Sequence, residues 1–128
     1  AGVAWQLRLA TVQIDTSLAL TRGGPIAARK RQAEALLEAL GSAPRTPMVL
    51  GGDFNSWLGN KEPAVDLMRR AFPDTPRDEN VATWRGPLGA HAALDHVFVR
   101  GRFRSVTTRR LAERFGSDHY PLSTIVDF

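Results

Sequence analysis

Apolar and polar positions along the chain predict the order strand, helix, strand, helix and then three strands. Between Trp5 and Asp15 (WQLRLATVQID) the two classes alternate, with Trp5, Leu7, Leu9 and Thr11 on one face, the period of a strand. A polar, irregular stretch follows to Gly24. Pro25 then stands where a first helical turn tolerates proline, and Ile26, Ala33, Leu36, Leu37 and Leu40 recur at helical spacing before Gly41, so a helix is predicted over Pro25 to Leu40. Pro44 and Pro47 bound a loop, after which Met48-Val49-Leu50 is a continuous apolar run of the kind found in a strand buried on both faces. It ends at Gly51-Gly52, directly before Asp53.

Asn60 is placed to cap a second helix reaching Ala71, with Pro63 in its first turn and Val65, Leu67, Met68 and Phe72 as its apolar set. Residues 74–80 and 86–90 read as loops. From Leu94 to Arg100 the pattern is again a strand, with Leu94, His96, Phe98 and Arg100 on one face and Asp95, Val97 and Val99 on the other. Gly101 predicts a tight turn, Phe103 to Leu111 a further strand antiparallel to its neighbour, and Leu122 to Phe128 the last. The sum is an α/β (α+β) fold with a mixed, largely antiparallel sheet and helices on one face. Two helices cover only one face of such a sheet, so the other is expected to need a cover from elsewhere.

At 128 residues the chain has room for one domain, and its 43% hydrophobic and 23% charged residues exclude disordered and coiled-coil classes. No segment is apolar enough to span a bilayer, and the first residues lack the layout of a signal peptide, so a soluble domain is expected, its compartment undetermined. The absence of cysteine excludes disulfides and thiolate zinc sites. A net charge of +4, carried by 15 Arg and two Lys, suits phosphate-bearing partners, although genome composition produces the same bias. Arg100, Arg102, Arg104, Arg109, Arg110 and Arg114 are placed either to meet a nucleic-acid backbone or to form a solvated hairpin face.

Three polar clusters fall at strand ends, where open sheets place binding residues. Gly51 to Ser56 brings Asp53 and Asn55 together behind a glycine pair: a carboxylate for a cation or water and an amide for a phosphate oxygen, or an Asx turn that closes the strand. Asp95 sits between apolar neighbours, where an acid needs a partner, either a functional one or a loop amide. In Gly116 to Pro121, His119 can act as acid, base or phosphate ligand and Asp118 can serve a hard metal, unless the segment is a solvated turn. His91 reads as solvated and His96, on the opposite face from Asp95, as structural.

GGDFN, LDHVFVRG and GSDHYPL, in this order and spacing, resemble the endonuclease/exonuclease/phosphatase superfamily of Mg-dependent phosphodiesterases, which includes DNase I-like nucleases, apurinic endonucleases, inositol-polyphosphate phosphatases and neutral sphingomyelinases. Arg29-Lys30-Arg31-Gln32 stands where that family has an Arg-x-x-Gln helix, and Thr83-Trp84 where it often has Thr before an aromatic. The resemblance implies the C-terminal half of a four-layer, two-sheet sandwich over residues 1–128. It implies Mg²⁺ or Mn²⁺ as cofactor and hydrolysis of a phosphate ester, whether nucleic acid, inositol phosphate or phospholipid. It further implies that Asp53 activates the attacking water, that Asn55 and Gln13 contact the phosphate, that His119 works at the reaction centre with Asp95 on its other ring nitrogen, and that Asp118 joins Asp53 at the metal.

Two departures stand against the pattern. The family's N-terminal half, with an Asn and a metal-binding Glu, would precede Trp5, and Gln13 occupies a position where many members carry His. Gln donates a hydrogen bond but transfers no proton. The expected partners are therefore the phosphate ester and, through the uncovered sheet face, the missing half or a second copy of this chain. The alternative is a non-catalytic fragment or degenerate module that binds a phosphate-bearing ligand or a protein.

Overall fold

A computed structural model describes residues 6–14, 23–41, 46–77 and 81–128; Trp5, Asp15 and Pro44 lie outside them. The elements are β1 (Arg8–Gln13), α1 (Gly24–Leu40), β2 (Met48–Asp53), a 3₁₀ turn (Gly59–Lys61), α2 (Pro63–Ala71), β3 (Trp84–Arg85), β4 (His91–Ala92), β5 (Asp95–Arg100), β6 (Ser105–Arg110) and β7 (Leu122–Asp127), with a short 3₁₀ turn (Pro87–Gly89) between β3 and β4. Both helices and the five longer strands stand where the pattern predicts them.

β2 is the centre of a three-stranded sheet ordered β1-β2-β5, parallel to β1 and antiparallel to β5. The register sorts the side chains by face. Ala10 and Val12 pair with Leu50 and Gly52, which pair with Phe98 and His96, and these positions turn toward the helices. There Met48, Leu50, Phe54 and Phe98 join Ala33 of α1 and Ala64, Val65 and Met68 of α2 in one core, with Phe72 closing its end. Burying an aliphatic or aromatic side chain of this kind contributes roughly 1.5–3 kcal/mol, which is why the sheet and the helix pair hold each other in place.

The opposite face carries Leu9, Thr11 and Gln13 of β1, Val49 and Asp53 of β2 and Asp95, Val97 and Val99 of β5. Leu9 remains 74% exposed there, so the alternation that groups Leu9 with Thr11 places both on the side without helices. The described helices leave this face uncovered, as expected from their number.

β6 does not pair with β5 across Gly101. It forms a hairpin with β7 in the register Val106↔Val126 and Thr108↔Thr124. The outer edge of β5 is already engaged at both ends: Thr75 Oγ1 accepts the Val99 amide at 2.8 Å, and Thr83 Oγ1 accepts the Asp95 amide at 2.9 Å. A second two-stranded piece, β3-β4, pairs Trp84 with Ala92 and Arg85 with His91.

α2 begins differently from the expectation. Asn60 does not cap it; a 3₁₀ turn intervenes, Glu62 takes the cap position without a side-chain cap bond, and Asn60 Oδ1 accepts from Arg69 Nη2 at 3.1 Å. The Glu62 carboxylate is committed elsewhere. It is fully buried, pairs with Arg29 of α1 at 2.8 Å and accepts the Leu58 amide at 3.3 Å. Removing one member of a buried pair strands the other in low dielectric, so Arg29→Ala is expected to destabilise the fold by about 3–5 kcal/mol. Replacing both residues by apolar ones of similar volume should recover most of that loss. Chemical denaturation of the two variants checks it; equal losses in the single and double variants would remove the ion pair as the cause.

Candidate active site

Gln13, Asp53 and Asp95 stand side by side at one end of the three-stranded sheet, because Gln13 pairs with Asp53 and Asp53 with Asp95 in the ladder. Side chains in register on adjacent strands share a face, so the three polar groups converge on the side away from the helices. Gly52 makes this close approach possible. A Cβ built there would lie 1.8 Å from the Val12 carbonyl oxygen, a separation no side chain tolerates.

Local hydrogen bonds fix the end of β2. Ile14 donates its amide to the Asp53 carbonyl at 2.9 Å and Phe54 donates to Leu94 at 2.8 Å, which pins the strand end between β1 and the start of β5. Asn55 turns the chain with φ of 47°, its amide donates to Asp53 Oδ1 at 2.8 Å, and its Nδ2 donates to the Ile14 carbonyl at 2.6 Å. The Asx turn is therefore real, and it holds the Asp53 carboxylate in place. Asn55 is only 3% exposed, with one amide proton occupied by Ile14. Partial burial raises the Asp53 pKa above the ordinary carboxylate value, and the negative charges of Asp95 and Asp118 act in the same sense against the opposing Asn55 amide and His119.

The acid in β5 finds its partner across the sheet end. Asp95 Oδ2 lies 2.7 Å from His119 Nδ1, a contact in which the imidazole donates and the carboxylate accepts. Both ends of that contact are held. Thr83 Oγ1 accepts the amides of Leu94 and Asp95 at 3.0 and 2.9 Å, while the His119 amide donates to Ser117 Oγ at 3.0 Å and its backbone bridges to Trp84. Burial alone would lower the His119 pKa, but the hydrogen bond to Asp95 and the charges of Asp95, Asp53 and Asp118 outweigh it and leave it raised. Asp53, Asp95 and His119 form a group in which one ligand atom from each lies within 4.8 Å of the others.

Asp118 is not one of that three. It is fully exposed, and its carboxylate accepts from Trp84 Nε1 at 2.9 Å, which lowers its pKa; it acts on Asp53 and His119 through charge. Trp84 in turn meets Trp57 edge to face at 5.2 Å. His91 is exposed, with its ring beside the Gly89 carbonyl. The role of Thr83 in holding Asp95 follows from no periodicity; only its place before an aromatic in the family pattern marks it.

His96 points to the helix side, as its position in the strand requires. It is buried, contacts Ser56 Oγ at 2.7 Å and packs against Phe54 and Phe98. Ser56 Oγ donates to the Ala93 carbonyl, so it receives the proton on His96 Nε2. Burial, assisted by the positive charge of Arg69, lowers the His96 pKa to about 4. The unfolded chain therefore binds a proton near pH 6.5 that the folded chain refuses until about pH 4, and stability should fall as pH drops through that window by roughly 3 kcal/mol. Denaturation at stepped pH checks this: His96→Gln should flatten the slope between those limits, and an unchanged slope would assign it to other groups.

The arrangement sets a carboxylate beside an acid–imidazole pair, with amide donors from Gln13 and Asn55 at the same sheet end. No curated protein matches the sequence. The solved structure of SmcL superposes with a TM-score of 0.59 at 23% identity over 80% of this chain, and this chain spans 47% of that one. The shared fold is thus DNase I-like, and the described elements correspond to part of its sandwich. The family model for the endonuclease/exonuclease/phosphatase family matches residues 5–119, a span that takes in β1, the whole polar row and His119, and the chain belongs to that family.

Proposed function

We propose that this chain supplies the phosphate-handling half of a divalent-metal-dependent phosphoester hydrolase. The observation that carries the reading is the convergence of Asp53, Asp95 and His119 at one sheet end. The donor set suits a hard cation: two carboxylates and an imidazole lie within reach of one another, and Asp53, its pKa raised by burial and by the charges of Asp95 and Asp118, stands in a locally negative setting. Mg²⁺ or Mn²⁺ would be held by Asp53, with Asp118 adding negative charge nearby, and would polarise the phosphoryl oxygens when bound.

The remaining steps belong to the chain's own groups. Asp53 accepts a hydrogen bond from the attacking water and orients it. Gln13 and the second amide proton of Asn55 donate to non-bridging phosphate oxygens. His119, fixed by Asp95, presents its other ring nitrogen to the phosphate, and as imidazolium it stabilises the negative charge that builds as the ester oxygen leaves. Gln13 donates but transfers no proton, so as the ester P–O bond breaks the His119 imidazolium gives its proton to the leaving oxygen, and Asp53 takes the proton that the attacking water loses. The substrate is a phosphate ester of a nucleic acid, an inositol phosphate or a phospholipid.

The test is hydrolysis of a chromogenic phosphodiester by the intact protein with Mg²⁺, with and without chelator. Turnover that chelation abolishes and Mg²⁺ restores supports the reading; turnover indifferent to chelation overturns the metal dependence. One observation favours a second reading: Gln13, and not a proton-transferring side chain, stands beside Asp53. Tight binding of phosphate without turnover of diester or monoester would establish that non-catalytic reading.

A further inference from the structure

A cavity of about 150 Å³ opens at the outer edge of β5, on the far side of Asp95 from Asp53 and Gln13. Arg69 and Asn60 line it from α2 and the turn before it, Arg109 and Arg110 from β6, and Asp95 and His96 from β5. Arg109 and Arg110 are exposed, so the cavity reaches solvent on the hairpin side.

Its cations are largely uncommitted. Arg69 is held by Nη1 to the Pro76 carbonyl at 3.5 Å and Nη2 to Asn60 Oδ1 at 3.1 Å, yet its Nε is buried with no acceptor among the described residues. A buried guanidinium N–H without an acceptor is uncommon and points to a missing partner. Arg110 spends one nitrogen on the Ala82 carbonyl at 3.1 Å and stacks on Tyr120 at 4.2 Å, and Arg109 makes no hydrogen bond or ion pair among the described residues. Three guanidinium groups thus share this lining with one carboxylate, Asp95, whose Oδ2 is already engaged by His119. The volume admits one tetrahedral oxyanion, and planar N–H forks match its oxygens.

We propose that this cavity is an oxyanion site, bordering the catalytic row at Asp95 but not lined by Gln13, Asp53 or His119, that takes a phosphate group between Arg69 and Arg109. The ligand would join the α2 side to the β6–β7 hairpin along an edge of β5 that no strand occupies among the described residues. The inference does not rest on the hydrolase reading, because a chain without turnover would keep the same cavity.

NMR of arginine-labelled intact protein tests it, with inorganic phosphate and methyl phosphate as separate titrants. The Arg69 Nε–H signal should shift saturably in the wild type and equally in Asp53→Ala, because Asp53 belongs to the catalytic row but does not line the cavity. Arg109→Ala, a change at an exposed and unpartnered side chain, should weaken the response at least fivefold without altering the fold. A response to phosphate alone assigns a free oxyanion, and a response to both titrants assigns a terminal phosphoryl group. No saturable shift at Arg69, a shift unchanged in Arg109→Ala, or a shift lost in Asp53→Ala would each overturn the proposal.

Discussion

Replacing His119 with alanine in the intact protein is expected to lower phosphoester hydrolysis by about 10²- to 10⁴-fold, the scale of losing a positioned proton-transfer or electrostatic group. Asp53→Ala should fall in the same range, because the carboxylate that orients the water goes with it. Asp95→Asn is the more informative change. It keeps the size of the side chain at 2.7 Å from Nδ1 but removes the charge that raises the His119 pKa. If the imidazolium is the working form, the rate falls as pH rises through that raised pKa, and in Asp95→Asn the falling limb should move to lower pH. The same contact contributes to stability below pH 6.5, where His119 is charged in both states, and that contribution is lost as pH rises through the folded-state pKa. Steady-state rates across pH check both points. A His119→Ala protein within tenfold of the wild type would remove the imidazole from the chemistry.

Much of this site was legible before any coordinates, and the reason is local. A strand alternates its faces every two residues, so Asp95 and His96 had to point to opposite sides, and an acid between Leu94 and His96 needed a partner. The partner, His119, lies 24 residues away and came from the order of motifs, since no periodicity links the two. Other features depend on tertiary placement. Alternation groups Leu9 with Thr11 but cannot say which face the helices cover, and the covered face proved to be that of Ala10 and Val12. The helical pattern places Arg29 but not its partner, Glu62, which arrives from the turn before α2 and pairs with it in the interior. β6 looked like the partner of β5 across Gly101, but Thr75 and Thr83 satisfy that edge with side-chain oxygens, which no strand pattern reveals. The bond from Asn55 Nδ2 to the Ile14 carbonyl and the bond from Trp84 to Asp118 likewise come from tertiary placement and have no trace in the strand pattern.

The isolated 128-residue chain is expected not to persist as a monomer in solution. Its three-stranded sheet leaves Leu9 at 74% exposure beside half-buried Val49 and Val97, on the face that neither helix covers. Exposed apolar faces of roughly 400 Å² are already unusual on stable monomers, and covering one is worth about 10 kcal/mol at 25 cal/mol per Å². Two occupants would serve. A second sheet packed about 10 Å away within the same polypeptide gains nearly all of that energy, because it is tethered, whereas a second copy of this chain must first overcome about 4–15 kcal/mol of lost translational and rotational freedom. A complementary sheet is therefore the expected occupant ahead of a second copy; this chain spans 47% of SmcL, a DNase I-like structure. A symmetric dimer would also bring two copies of the Asp53–Asp95 row together and repel at neutral pH. Light scattering over a concentration series should show the isolated chain associating, Leu9→Lys should reduce that association, and co-expression with a complementary half should yield a one-to-one complex with raised thermal stability. A monodisperse species of 14.0 kDa at high concentration, unfolding cooperatively, would show instead that the face is covered from within the chain.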